Sequence, residues 1–285
     1  ELLSEWLLSH KRLLVDGSQD PAKGGRVYLV ADDSAVWPLE KDAIAARLAL
    51  SDAGLNGTEA VYNFVLESII MAAYKRGQRT TLARWQAARD GALYVSCGPC
   101  HIVRADGVTL TKLPNGSGGV WFAGDAAYPA WEPSAPTHPR ALAAFNPPLE
   151  APAEVPSYTP ETQRALLAAW LVALLSGLRP LPLLVAIGRK GGGKSTLVRA
   201  MLRALLGLES DLTLLSDDRK DFWTQVTTSP ATGLDNVDGD PTPWLADALA
   251  ATVTGARIEA RELYTNSVKL SRPITAALMV TTRTA

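Results

Sequence analysis

Gly188-Arg189-Lys190-Gly191-Gly192-Gly193-Lys194-Ser195-Thr196 decides how the chain reads. It fits the phosphate-binding pattern G-x-x-x-x-G-K-[ST] without a mismatch. Before it, Leu181-Pro182-Leu183-Leu184-Val185-Ala186-Ile187 is a short uncharged apolar run expected as a strand. After it, Leu197 to Leu206 is expected as a helix stopped by Gly207. Strand, glycine loop and helix are the context the motif requires. Gly188, Gly191, Gly192 and Gly193 let consecutive backbone N–H groups turn toward one anion, and the helix N-terminus adds partial positive charge. In such a loop Lys194 reaches the β- and γ-phosphates, Ser195 holds Mg²⁺, and Thr196 completes the cradle. The expected ligands are therefore a nucleoside triphosphate and Mg²⁺.

Working outward, Leu212 to Leu215 is expected as a second strand, and Asp221 to Thr228 as a helix or loop. Then comes Ala231-Thr232-Gly233-Leu234-Asp235-Asn236-Val237-Asp238. A carboxylate ending a strand beside the glycine loop holds Mg²⁺ through water, and Asp235 is the candidate. Asp238 is an alternative carboxylate, and a plain Asp/Asn turn is the competing reading. Asn236 stands where many ATPases carry a glutamate that orients the attacking water. Trp244 to Val253 reads as an apolar helix ended by Gly255. Residues 256–263 and 267–272 alternate as a hairpin, and Ile274 to Arg283 reads as a buried strand with a polar end. On the other side of the loop, Glu161 to Gly177 is expected as an apolar helix packed on the same sheet.

Four pieces in this order resemble the ATPase core of phage and plasmid primase-helicases, the superfamily III-type helicases within the AAA+ P-loop ATPases. They are the glycine loop, Leu234-Asp235-Asn236-Val237-Asp238, the stretch from Thr254-Gly255 to Arg261-Glu262-Leu263-Tyr264-Thr265, and Val280-Thr281-Thr282-Arg283. The resemblance covers about Leu181 to the C-terminus. It implies a parallel sheet of strand order 5-1-4-3-2 with helices on both faces, ATP with Mg²⁺, and a ring, usually hexameric, around single-stranded DNA. It makes Lys194 and Ser195 the loop pair, Asp235 the metal-side acid, and Thr282 the sensor of the γ-phosphate or attacking water. It also makes Arg257, Arg261 and Lys269, on the hairpin, candidates for gripping DNA; ordinary strand-face charge is the even alternative. The sequence departs from the family at Asn236, at Thr282 where asparagine is common, and in lacking a fifth strand or arginine finger after Arg283. Such fingers contribute roughly 10³–10⁵ in rate. The chain as written is therefore expected to be a fragment, to hydrolyse ATP slowly, and to form no active ring alone.

Upstream, residues 1–130 read as a smaller α+β accessory domain, and 131–160, rich in proline and alanine, as an extended connector to a domain at 161–285. Within the first part, Arg26 to Val30 and Ser34 to Leu39 form an expected hairpin across Asp32-Asp33. A helix running to about Lys75, with Thr58 as its cap, is expected to bury Val61, Phe64, Val65, Ile69 and Ala72. Lys75 to Arg89 is basic around Trp85; it reads as a solvated helix face with Trp85 buried, or as a base-stacking surface. Cys97-Gly98-Pro99-Cys100-His101 matches short haem, thioredoxin and zinc patterns. The β-type residues after it favour a Gly98-Pro99 hairpin turn instead.

The 285 residues carry 47% hydrophobic and 20% charged side chains with a formal net charge of −1. That excludes a polycationic nucleic-acid binder, so DNA contacts must be local. No targeting segment or apolar run of membrane-spanning length is visible, so the expected location is cytoplasmic. The leading expectation is an ATP-driven DNA motor of mobile-element replication. Two others use the same loop: a nucleotide-gated loader or assembly switch with weak ATPase, which Asn236 favours, and a P-loop phosphotransferase.

Overall fold

A computed structural model describes residues 2–17, 26–40, 43, 47–48, 50–51, 54–55, 60–124, 130–133, 149–151, 157–207, 209–214, 219–239, 242–261, 269–274 and 276–283. The chain divides into two compact units, Glu1–Pro133 and Ser134–Ala285. It is an α/β protein with mixed, antiparallel and parallel sheets.

The first unit opens with helix α1 (Leu2–Ser9) and strands β1 (Leu13–Asp16), β2 (Val27–Val30) and β3 (Val36–Pro38). Helix α2 (Ala60–Arg76) and strand β4 (Gln78–Thr80) follow, giving a sheet of order β3-β2-β1-β4. The β2–β3 hairpin pairs Val30 with Val36 around Asp32 and Asp33. Strand β1 is buried on both faces. Leu13 and Val15 pack with Tyr62, Leu66, Ile69 and Ala73 of α2, while Leu14 packs with Tyr28 and Val36 on the other side.

The buried face of α2 matches the expected one only in part: Ile69 is buried and Val65 packs against the core, as expected. Tyr62, Leu66, Ile69 and Ala73 are buried, whereas Val61 and Phe64 are exposed. The face is rotated by about a quarter turn, at 3.6 residues per turn. Apolar residues surround this helix, so the i, i+3, i+4 rule admits more than one stripe. Thr58, its expected cap, lies outside the described residues.

The basic stretch after α2 is strand rather than helix. It forms β4, β5 (Leu82–Ala83) and β6 (Gln86–Arg89), and Trp85 is buried, so it offers no face for base stacking. Strands β7 (Ala92–Ser96), β8 (His101–Ala105) and β9 (Leu110–Pro114) continue β6 as an antiparallel meander, and β10 (Trp121–Phe122) pairs with β5. Gly98 and Pro99 turn the β7–β8 hairpin, with Cys97 buried. Asn115 closes the meander: its side chain donates to Phe122 O at 2.8 Å and accepts from Phe122 N at 2.9 Å.

In the second unit Thr159 caps helix α3 (Pro160–Leu175), which buries Trp170, Leu171 and Leu174. Most of 131–160 lies outside the described residues. Next come β11 (Leu184–Ile187), α4 (Lys194–Leu206), β12 (Thr213–Leu214), α5 (Arg219–Thr228), β13 (Ala231–Asp235), α6 (Pro243–Thr254), β14 (Arg257–Arg261), β15 (Lys269–Pro273) and β16 (Ala277–Thr282). Strands β11, β16, β13 and β12 form a parallel sheet in that order. Numbered along the chain, this is order 1-4-3-2.

Alternation along the two central strands sorts their side chains. Leu234, Leu278 and Val280 join Phe222, Val226, Leu245 and Ala248 of α5 and α6 on one face. Gly233 and its register partner Met279 lie on the other, where α4 packs. A Cβ added at Gly233 would come within 2.8 Å of both Val198 and Leu202. The glycine that weakens β13 as a sequence pattern is what lets α4 approach the sheet.

Candidate functional site

The glycine loop leaves the C-terminal end of β11 and enters α4 at Lys194. Gly191 and Gly193 hold φ of +81° and +79°, a left-handed conformation that a side chain would strain, with Gly192 between them outside that region. An added Cβ at Gly191 or Gly193 meets nothing within 4 Å, so both face open space. Such alternation aims successive N–H groups into one concavity. Leu197 makes the first intrahelical bond of α4, to Gly193 O at 2.9 Å. The amides of Lys194, Ser195 and Thr196 thus have no intrahelical acceptor, and an anion is their natural partner. Lys194 Nζ donates to Gly188 O at 2.7 Å and Arg189 O at 3.0 Å, folded over its own loop.

Strand parity brings the next residues to this loop. Gly233 faces α4, so Asp235, two residues on, faces it too. The register Gly233↔Met279, carried two residues further, puts Asp235 beside Thr281. Asp235 Oδ1 accepts from Thr281 Oγ1 at 2.6 Å and from Ser195 Oγ at 2.7 Å. The Thr281 hydrogen bond, and less strongly that of Ser195, hold the Asp235 carboxyl below the usual aspartate range, against the opposing effect of burial. Thr281 is fully buried; its hydroxyl also accepts from Asn236 N at 3.0 Å, and its carbonyl from Val237 N at 2.9 Å. Asn236 takes φ +55°, which turns the chain off the end of β13.

Thr282 has the opposite parity to Thr281. Its hydroxyl lies 3.5 Å from Asp238 Oδ1, and its carbonyl accepts from Gly188 N at 3.3 Å. The β16 side chain against Asp235 is therefore Thr281, which sequence reasoning passed over; counting parity from Gly233 would have found it. Asp238 accepts from Arg283 N at 2.7 Å and Arg283 Nε at 2.6 Å. These bonds, and more weakly the charge of Lys194, hold its carboxyl below its ordinary value.

The structure thus gathers Gly188, Gly191, Gly192, Gly193, Lys194, Ser195, Thr196, Asp235, Asn236, Thr281, Thr282, Asp238 and Arg283 at one end of the sheet. Arg257, Arg261 and Lys269 stand on the β14–β15 hairpin, where the register opposes Arg261 to Lys269 and Arg257 to Pro273. The hairpin tip, 262–268, lies outside the described residues.

The donor set suits Mg²⁺ bound with a nucleotide. Ser195 and Asp235 offer hard oxygens already in contact, and among the described residues no three His, Cys, Asp or Glu side chains gather as an all-protein cage. Mg²⁺ commonly takes one or two protein oxygens and completes its shell with phosphate and water. An open cleft lined by Thr213, Phe222, Gln225 and Leu234 lies between β12 and α5, on the sheet face opposite α4. No helix among the described residues is long and apolar enough to cross a membrane.

Comparison with curated proteins gives no match. Three apo structures of the NrS-1 C-terminal region are similar to this chain at 12% identity, with TM-scores of 0.47, 0.44 and 0.48. Each alignment covers 99% of this chain but only 56% of the NrS-1 chain, so the protein spans little more than half the length of those structures. Residues 154–282, which hold the whole gathered site except Arg283, are similar to the family described as Actinomycete integrative conjugative element replication protein, and this supports a replication-related function on a mobile element.

Proposed function

We propose that Ser134–Ala285 is an AAA+-type ATPase module that binds ATP with Mg²⁺ and drives movement along single-stranded DNA during replication of a mobile element. The observation that carries the reading is the Ser195–Asp235 hydrogen bond of 2.7 Å at the end of a parallel sheet, beneath the glycine loop. Strand order 1-4-3-2 and similarity to a replication family lend support.

In this reading the amides of the loop and of Lys194 to Thr196 bind the phosphates, and Lys194 leaves the Gly188 and Arg189 carbonyls for the β- and γ-phosphate oxygens. Ser195 and Asp235 hold Mg²⁺, which when bound neutralises developing phosphate charge. Thr281 keeps Asp235 ionised and aimed. Arg257, Arg261 and Lys269 grip DNA from the hairpin, and full activity arises in a ring, usually hexameric, of such modules.

The test is ATP hydrolysis with and without single-stranded DNA. DNA-stimulated turnover that Lys194→Ala abolishes supports the motor; turnover only with a small acceptor would replace it with a phosphotransferase. Asn236 favours a second reading, a nucleotide-gated switch. Tight ATP binding with negligible turnover, restored by Asn236→Glu, would establish that one instead.

A further inference from the structure

Arg283 follows directly on β16, whose register sets Thr282 against Ile187, the last residue before the glycine loop. The Thr282 carbonyl is bonded to Gly188 N, so the backbone of Arg283 starts beside the first glycine of that loop. Its guanidinium is 60% exposed and is held through Nε alone, on Asp238 Oδ2 at 2.6 Å. Among the described residues its two terminal nitrogens make no hydrogen bond. Asp238 is less exposed, at 22%, and lies near enough to Lys194 to feel its charge. Asp238 thus holds Arg283 in direct contact at the mouth of the loop over which Lys194 is folded.

We infer that Arg283 is a triphosphate-reading arginine supplied in cis, parked on Asp238 until a γ-phosphate takes the carboxylate's place. The inference rests on the nucleotide-binding reading and adds to it the means by which ATP is told from ADP. A guanidinium gives a phosphate a two-pronged, charge-assisted hydrogen bond, and the terminal nitrogens of Arg283 are the prongs. The terminal phosphate that Lys194 grips carries the charge that competes with Asp238. ADP ends one phosphate short and leaves the Arg283–Asp238 pair intact. Asp238 accepts from both the backbone N–H and the side chain of Arg283. When the guanidinium leaves, the backbone bond remains and the loop after β13 keeps its anchor.

The experiment is equilibrium binding of ATPγS and of ADP, each with Mg²⁺, to the 285-residue chain and to its Lys194→Ala, Arg283→Ala and Arg283→Lys variants, with thermal melting of each. Arg283→Ala is expected to weaken ATPγS by about tenfold or more, the scale of a lost charge-assisted bond, and ADP by less than about twofold. Arg283→Lys, which keeps the charge but loses the fork, is expected to fall between. If Arg283→Ala melts early, Arg283→Lys at native melting temperature carries the same comparison. Equal weakening of ATPγS and ADP in both variants, or none, overturns the inference while leaving nucleotide binding standing. Failure of the unaltered chain to bind either nucleotide overturns both readings.

Discussion

Asp235 accepts two hydroxyl hydrogen bonds on one oxygen, and Thr281 is the stronger partner in setting its charge. Thr281→Val keeps the shape but leaves Asn236 N–H without its acceptor and Asp235 with one of its two hydroxyl donors, Ser195. A buried polar group left unsatisfied costs about 1–3 kcal/mol, so the unfolding free energy from urea titration at pH 7 should fall by that amount, with Thr281→Ser restoring most of it. The pH dependence has a definite sign. The folded-state value of Asp235 lies below the ~3.9 of an unfolded aspartate, so its contribution is present above pH ~4 and is lost as pH falls through the folded value. Thr281→Val shrinks that shift, and its stability should therefore decline less between pH 5 and 2 than that of the unaltered chain. Equal declines would show that Thr281 does not set the ionisation of Asp235. Cys100 shifts the other way. Burial first, and then the Asp33 carboxylate 3.2 Å away, push its thiol up to about 11. At pH 8 such a thiol is ~0.1% thiolate against roughly a quarter for an ordinary cysteine, so alkylation should run on the order of a hundredfold slow. Asp33→Asn should accelerate it, and mass mapping after iodoacetamide treatment reads the rate at Cys100 directly.

Among the elements, β13 and α4 are the pair on which the site depends. Gly233 is the contact point, and its replacement tests the packing. Gly233→Ala should cost about 1–3 kcal/mol by overpacking against Val198 and Leu202. In a Leu202→Ala background one of the two close contacts is removed while Val198 remains, so the penalty should shrink in part; additive losses in denaturant titrations would place the strain elsewhere. The same pair shows what a sequence can and cannot display. The loop and Asp235 are legible because their chemistry demands fixed residue types at fixed spacing. Thr281 is legible only with strand parity and register, since it lies 46 residues from the carboxylate it serves. The α2 face is misread for a different reason: with apolar residues all round, tertiary packing against Leu13, Val15 and Leu29 chooses the stripe. The run from Lys75 to Arg89 misleads because its charges hide strands whose burial rests on Trp85 and the small Ala83 and Ala87.

Over the whole molecule, each compact unit has cores of its own. The first unit is centred on Leu13, Tyr62 and Ile69 and on Ile102 and Phe122; the second is centred on Phe222, Leu234 and Leu278. Every residue assigned to nucleotide or Mg²⁺ lies in the second unit. A ligand that binds only the native state stabilises what it binds by RT ln(1 + [L]/Kd), about 2.7 kcal/mol at a hundredfold excess over Kd. Units with separate cores are expected to melt as separate cooperative transitions. ATPγS with Mg²⁺ should then raise the midpoint of one calorimetric transition by several degrees and leave the other in place. Lys194→Ala should abolish the shift without moving the midpoints measured in the absence of nucleotide, because among the described residues its amine bonds only carbonyls of its own exposed loop. If nucleotide moved both transitions together, the two units would unfold as one, and nucleotide at the glycine loop would be energetically coupled to residues 1–133. If it moved only the transition belonging to the first unit, the assignment of Gly188 to Thr196 as the nucleotide site would fall.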